Sequence, residues 1–459
     1  MQISLPNFFR RSNKAEAKRD RTMIAGLFRR NIDAASFGPR WGDTRLTLRP
    51  ASEINARQGV AAGRISGMAL NNPYAAAIIS AFCDAAVCDG PSIRPIHSNE
   101  ESRRQLIAIA DRFYDEGDAE GLVNLGEALR RSVVSLVATG NVFLHMMIDG
   151  TSGALRYKHL PTSQLDRSKT FPQPLPSGGW IENGIEFSAA GKRVAYHFLK
   201  TGDGRTGGSW ETVRIDAADI LHAFKPLFPG QQLGLPWLAP SATHLAEIDR
   251  LEDALLAKAN SAALFGMVLT RPDETGSVAK PDANGDYSME PGATIIAPPG
   301  WDVTAVNPPN NEGTSEFLRS MIRSAAAGAG VPYELVSGDL SQTNYSSARV
   351  GLLEFRRRVT ALQKNILVAR ILDPLWKRTL LVEALYGRIP FDLSQARAEF
   401  TFPGFEPIDP MKETNADVTA IKANLKSRHE VIAARGRDPH VVDQEISQDT
   451  NKPQTEKAA

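Results

Sequence analysis

The chain has 459 residues, enough for two or three packed units at ~100–200 residues each. Hydrophobic residues make up 42% and charged residues 23%, the usage of an ordinary folded protein, which excludes wholesale disorder and collagen-like or mucin-like repeats. Lys and Arg total 53 against 52 Asp and Glu, so this is no globally basic coat for nucleic acid, and any contact with DNA must be local or weak.

Met1 to Arg11 lacks the apolar core of a signal peptide, and no later apolar run approaches the ~20 residues that span a bilayer. The sequence therefore predicts a product that stays in the cytoplasm. Residues 1 to about 50 carry Arg10, Arg11, Lys14, Lys18, Arg19, Arg21, Arg29 and Arg30 among few periodic hydrophobics. This reads as a basic arm, either a solvated tail or a contact for nucleic acid or a partner.

From Asn72-Pro73 a helical pattern runs through Ile78, Ile79 and Phe82 toward Gly90-Pro91, with Pro in the first turn as helices prefer. Cys83 and Cys88 stand five apart on this segment, a poor disulfide geometry, and are expected to be two small buried hydrophobes in a reducing compartment. Further helices are predicted over about 99–115 and 121–139. The second leads through Gly140-Asn141 into a buried strand, Val142 to Ile148, closed by Asp149-Gly150. Strand-like runs at 155–160, 184–187, 193–199 and 212–222 complete an α+β body to about residue 240.

Beyond Pro240, Leu245, Ile248, Leu251, Leu255 and Ala259 recur at helical steps to about Phe265. Glu247, Asp249, Glu252 and Asp253 are expected to form an acidic face on this helix. Residues 266–310 alternate short β-like runs, Met267 to Leu269 and Thr294 to Ile296, with turn residues. A returning helix over about 312–329 carries Phe317, Leu318, Met321, Ile322 and Ala325 on one face and stops at Gly328-Ala329-Gly330. After the loop Ser337 to Thr343, a helix far longer than the ~11–12-residue average is predicted from about Asn344 to Leu385, with Pro374 as its kink. The tail has one strand-like run, Glu399 to Phe402, then two short helices and a polar end from Ser447.

Motifs of chemistry fail on inspection. Gly184 to Gly191-Lys192 has six residues between its glycines where a phosphate loop needs four, and Arg193 stands where that loop needs Ser or Thr. His429-Glu430 is followed by Ala433 where a zinc protease needs its second His. Asp282, Asn284 and Asp286 begin a calcium-loop spacing, but Tyr287 and Ala293 occupy the required Gly and Glu positions. Gly150-Thr151-Ser152-Gly153 is no nucleophile elbow, and Gly328-Ala329-Gly330 lacks the rest of a dinucleotide fingerprint. No cofactor, metal or catalytic residue is assigned.

The stretch Ala329-Gly-Val-Pro-Tyr-Glu-Leu-Val-Ser-Gly-Asp-Leu-Ser-Gln-Thr-Asn-Tyr-Ser-Ser-Ala-Arg349 resembles the signature region of lambda-type phage portal proteins. Phe228-Pro-Gly-Gln-Gln-Leu-Gly-Leu-Pro236, Ile408-Asp-Pro-Met-Lys412, Ser427, Gly436-Arg-Asp438, Asn72-Pro73 and Gly140-Asn-Val-Phe143 agree in order, so the resemblance covers roughly residues 65–450. Leu233 stands where Arg is common and Asn424 where Gly is usual, departures that bear on local turns or interfaces.

The resemblance implies a non-enzymatic ring of twelve subunits at one capsid vertex of the virion, assembled in the host cytoplasm. Double-stranded DNA is packaged and ejected through such a ring without sequence specificity. It docks a large terminase ATPase and a head–tail adaptor, and meets the major capsid and scaffolding proteins. The implied fold is α+β: a wing (51–240) after the arm (1–50), a stem of two helices (241–265 and 311–335) flanking a small β-rich clip (266–310), a tunnel loop (336–343), a long kinked helix (344–386) and a C-terminal wing or crown region (387–459). On this plan Asp339, Ser341, Gln342, Thr343 and Asn344 are candidate DNA-facing groups, able to touch a backbone weakly and without preference for sequence. The acidic stem face is a candidate repelling wall or an ordinary solvated face. Arg349, Arg356, Arg357 and Arg358 are candidates for phosphate or intersubunit contacts, or for pairing within the helix, as Glu354 one turn before Arg358 allows. Two other readings stay open: a cytosolic enzyme whose site assembles only in space, and a monomeric DNA-binding protein that uses the basic arm.

Overall fold

Caps and apolar stripes turn the local signals into elements in the computed structural model. It describes residues 49–171, 174–200, 211–264, 268–270, 302–304, 313–341, 344–390, 392–393, 396–407 and 409–449. The basic arm, the strand predicted at 294–296 and the calcium-like spacing at 282–286 lie outside the described residues.

Helix α1 (Pro50–Asn71) had no counterpart in the periodicity, because Gly59, Gly63 and Gly67 dilute its apolar stripe; Ile54, Ala62 and Ile65 are nevertheless buried. Helix α2 (Pro73–Ala86) starts where Asn72 Oδ1 accepts from the Ala75 amide. After strand β1 (Ser92–Ile96), α3 (Glu100–Glu116) is capped by Asn99 and α4 (Leu125–Thr139) by Asn124. Each such cap is worth ~1 kcal/mol by satisfying amides that the helix leaves unpaired. The first of these helices ends earlier than expected: Cys88 lies past its end at φ 51 and is exposed, whereas Cys83 is buried, and both are free thiols. Only Cys83 fits the prediction of a buried hydrophobe. Burial pushes its thiol up to about 11.

Gly140 ends α4 in the left-handed region at φ 83. There its α-carbon lies against residues 234 and 235, so closely that an added Cβ would come within 2.5 Å of the Gly234 carbonyl. Strand β2 (Asn141–Ile148) follows, flanked by β3 (Leu155–Leu160) and β8 (Ile220–Phe224) in the order β3-β2-β8. Its central place explains the unbroken apolar run. Strands β4 (Trp180–Glu182), β5 (Ile185–Phe187), β6 (Arg193–Leu199) and β7 (Thr212–Asp216) form an antiparallel meander. Asn183 and Gly184, at φ 52 and 77, make the tight turn between β4 and β5, the twist-compatible hairpin geometry that Asn-Gly favours. The segment that superficially resembled a phosphate loop is this meander. The run at 212–222 splits into β7, which pairs with β6, and β8, which pairs with β2, so the chain changes sheet at Ala217–Asp219.

Helix α5 (Ala242–Leu264) and α6 (Thr314–Ala329) flank the paired strands β9 (Val268–Thr270) and β10 (Asp302–Thr304). A short helix α7 (Tyr333–Ser337) precedes α8 (Tyr345–Leu362), which continues through a π-helical stretch, Gln363–Leu372, into α9 (Asp373–Leu385). The discontinuity expected at Pro374 thus takes the form of widened turns just before it. Proline offers no amide and crowds the carbonyl four residues back, and a π-helical register moves that carbonyl away.

Strand β11 (Arg397–Thr401) pairs antiparallel with β1 across the length of the chain, Ser92 opposite Thr401. The tail then has three described helices where two were expected: α10 (Pro410–Lys422), α11 (Arg428–Ala434) and α12 (Pro439–Gln448), capped by Asp409, Ser427 and Asp438. Asn424 adopts φ 57 after α10, a conformation that Asn tolerates better than most residues other than Gly, so the departure from Gly leaves the turn intact.

The described residues from Ile54 onward belong to one compact unit. Its main core joins α2, α4 and β2 to α5, α6 and α8, through Phe82, Leu136, Leu144, Leu245, Ile322 and Val359. A second core holds Phe143, Tyr196, Phe198 and Leu233 between the two larger sheets. Leu233, expected at a turn or interface, is fully buried there, so that departure supplies core packing. A third core sets Leu106 against Trp376 and Leu380; beside it Glu383, buried, pairs with Arg112 at 2.6 Å and Arg388 at 3.2 Å.

Candidate functional site

The predicted site residues lie on α5, in the loop after α7 and on α8, and α5 is packed against α6 at one end. Leu245 and Ile248 of α5 are buried in the main core with Ile322 and Ala325 of α6. Ser241 Oγ donates to the Ala325 carbonyl at 2.6 Å. Gly328 lies so near that a Cβ there would come within 2.6 Å of that hydroxyl. Gly330 ends α6 in the left-handed region, its amide donating to the Ala326 carbonyl, which makes Gly328-Ala329-Gly330 the helix stop that was expected.

The four acids of α5 do not share a face. At 100° per residue Asp249 and Glu252 fall on the side of Leu245 and Ile248, and there Asp249 accepts from Asn72 Nδ2 at 2.6 Å while Glu252 accepts from the Tyr74 hydroxyl at 2.8 Å. Both carboxylates thus sit at the N-terminus of α2, where its dipole favours negative charge. Burial and Glu252 together raise the Tyr74 phenol to about 12, so it stays a donor. Glu247 and Asp253 are exposed, and Glu247 pairs with Arg250 at 2.7 Å. The expected acidic face is corrected to two outward acids and two that fasten α5 to α2.

In the loop, Gly338 turns the chain at φ 67 and directs Asp339 back toward the helices. Asp339 Oδ2 accepts from the Tyr333 hydroxyl at 3.1 Å and lies 3.3 Å from Arg319 Nε on α6; its Oδ1 accepts from the Ser341 amide at 3.0 Å. Hydrogen bonds from Ser341, then from Tyr333, and the Arg319 charge hold its carboxyl down at about 2. The Arg323 guanidinium lies over the Tyr333 ring at 5.2 Å. Ser341 and Asn344 are exposed, and the Asn344 carbonyl accepts the first α8 bond, from Ala348. Gln342 and Thr343 lie outside the described residues.

The arginines divide similarly. Arg356 donates to the Glu406 carbonyl at 2.7 Å and lies over the Phe405 ring at 5.1 Å, tying α8 to the C-terminal region. Glu354 lies 3.6 Å from Arg357 and 4.0 Å from Arg358, pairings worth ~0.3–0.5 kcal/mol on a helix surface. Arg349 stands near Asp409, whose carboxyl is lowered first by Lys412 and then by this charge. Arg358 also lines a cleft of about 510 Å³ with Phe82, Lys225, Trp237 and Arg370. Lys225 was not singled out in the sequence, for it lies far from the long-helix cluster and meets Arg358 and Arg370 only through the fold.

Among the described residues no group of three or more His, Cys, Asp or Glu is placed to hold a metal, and no helix is long and apolar enough to cross a membrane.

A family profile described as phage portal protein, lambda family, matches residues 38–363. The chain is 24% identical over 296 residues to a probable portal protein of Halomonas phage phiHAP-1, covering 61% of this chain and 56% of that protein, so it spans just over half of that relative's length. It is 22% identical over 434 residues to the portal protein of Escherichia phage N15, covering 82% of this chain and 81% of that one. Among solved structures, a chain in the neck of an empty GTA particle computed with C6 symmetry shares 16% identity, with a TM-score of 0.49, 89% of this chain covered and 98% of that one. With its profile spanning residues 38–363, from before α1 into the π-helical stretch, this chain belongs to the lambda family of phage portal proteins.

Proposed function

We propose that copies of this chain, twelve to a ring, form the conduit at one capsid vertex of a virion through which double-stranded DNA is packaged and ejected. One observation carries the reading beyond family membership. A pair of helices fastened at one end leaves the α+β body and returns to it, the excursion crossed by the β9–β10 pair, and the chain then passes through a polar loop into the long helix. In this reading residues 51–240 are the wing, 241–265 and 311–335 the stem, 266–310 the clip, 336–343 the tunnel loop, 344–386 the helix above it and 387–459 the crown side.

A conduit must let DNA slide, and each phosphate neutralised by a fixed cation adds salt-dependent sticking. The near-neutral chain suits that demand. So does the commitment of Arg319, Arg356 and Arg358 to protein partners, while exposed Ser341 and Asn344 offer weak polar contacts. The ring performs no chemistry in this scheme. A separate terminase ATPase drives the DNA, a head–tail adaptor later takes its place at the clip, and capsid and scaffolding proteins surround the wing. The basic arm is a further candidate for DNA or partner contact.

Negative-stain electron microscopy with mass determination of the purified protein tests the reading. Rings of about twelve subunits with an axial hole are expected from closed heterologous packing, whereas a compact monomer that persists at high concentration would overturn it.

A further inference from the structure

The loop proposed to face DNA contains one acid, and its geometry is that of an anchor. Asp339 has protein partners on both carboxylate oxygens: the Ser341 amide on one, the Tyr333 hydroxyl and Arg319 Nε on the other. Its own amide donates to Ser337 Oγ, whose hydroxyl in turn donates to the Tyr333 carbonyl. Leu340, next in the chain, is 68% exposed. The carboxylate therefore faces helix α6 while the neighbouring Leu340 side chain lies in solvent.

We propose that Asp339 is a positioning residue that latches the loop to helix α6 through Arg319 and Tyr333, so that loop and stem helix move together, and that it does not itself contact DNA. The physical reason is the count of donors. A carboxylate satisfied by an amide, a phenol and a guanidinium holds its turn in one conformation, because releasing it would break charge-assisted bonds. Arg319 also lies near Glu316 on its own helix, so its guanidinium is aimed by α6 before the loop reaches it. The inference rests on the conduit reading only in taking this loop as the channel-side one.

The test places a nitroxide on Leu340→Cys in the full chain, with Cys88→Ser removing the exposed native thiol, and reads the label's mobility in the assembled protein. Asp339→Asn and Arg319→Gln are each expected to speed the label about twofold or more on the nanosecond scale, with no further gain in the double variant. Arg319→Lys, which keeps the charge, is expected to hold the parent spectrum, and the exchanged pair Arg319→Asp with Asp339→Arg to recover most of it. Identical spectra for Asp339→Asn and the parent would overturn the latch, as would full mobility in Arg319→Lys. DNA packaging into empty capsids with the same rings is expected to slow several-fold in Asp339→Asn while ring assembly is unchanged. Parent rings unable to package DNA would count against the conduit reading, and the spectra judge the latch independently of that result.

Discussion

The proposed wing and the proposed stem solve different problems with the same kind of helix. In the wing, a single buried amide joins the sheet to the loop before the stem: Asn141, fully buried, accepts from the Gly234 amide at 2.7 Å, donates to the Gly234 carbonyl at 3.2 Å and lies 3.0 Å from His222 Nε2. Among the described residues of the proposed stem, the end near the wing is the sealed one. Leu245 and Ile248 are buried, but Leu256 is 61% exposed and Phe317 59%. One chain completes the wing by itself, whereas the outer stem offers apolar surface that the proposed ring would cover. The difference teaches that stability and assembly are written in separate parts of the molecule, and substitutions in the two parts should separate by measurement.

The largest effect is expected in the wing core. Phe143, 1% exposed, meets Phe198 edge-on at 5.4 Å and stacks on His222 at 4.2 Å, so Phe143→Ala should cost about 3–5 kcal/mol in denaturant unfolding. A loss under about 1 kcal/mol would mean that the second core is loosely packed.

Acid should act on the same sheets. Burial holds His159 down at about 4 and His222 well below its ordinary value, with Arg131 adding to the first and Arg193 and Arg370 to the second. An unfolded chain binds these protons near ~6.5 and the folded one does not, so their contribution is intact above ~6.5 and is lost as pH falls toward about 4, at up to ~1.4 kcal/mol per pH unit for each ring. Thermal unfolding of the parent and of His159→Gln across pH 7 to 4.5 should differ in slope in that sense, and parallel curves would show that His159 protonates within the fold.

Asn141→Ala is a sharper cut, because it leaves the Gly234 amide and His222 Nε2 without their partner. About 1–3 kcal/mol is expected, again by denaturant unfolding, with Asn141→Asp no better. The smallest effect on the single chain belongs to the stem: Leu256→Ser and Phe317→Ser should change unfolding free energy by no more than about 0.5 kcal/mol yet lower the yield of rings in sedimentation. Equal loss of fold and ring would erase the distinction between the two regions.

Much of this was legible locally. Helices α2 to α6 and the long helix announced themselves through apolar steps and through Asn, Pro and Gly at their ends, signals that need only neighbours in sequence. The loop and its polar residues were legible too. Its acid was read as a DNA-facing candidate, and nothing local shows that Arg319 and Tyr333 would meet Asp339, the contacts on which the latch proposal rests.

What the sequence determined by itself was the order of α2 to α6 and the long helix, the absence of a phosphate loop by spacing, and the family, since a signature from Ala329 to Arg349 survives at low overall identity. Only the tertiary structure decided where charge is spent. Asp249 and Glu252 turned inward because Asn72 and Tyr74, far away in the chain, reached them; β1 became a strand because β11 paired with it; and the run at 212–222 broke because β7 and β8 had partners in different sheets. The reason is common to all three. Helical periodicity is a property of adjacent turns, whereas strand pairing and the partnering of buried charge are agreements between distant segments, and one stretch of sequence carries only its own half of each.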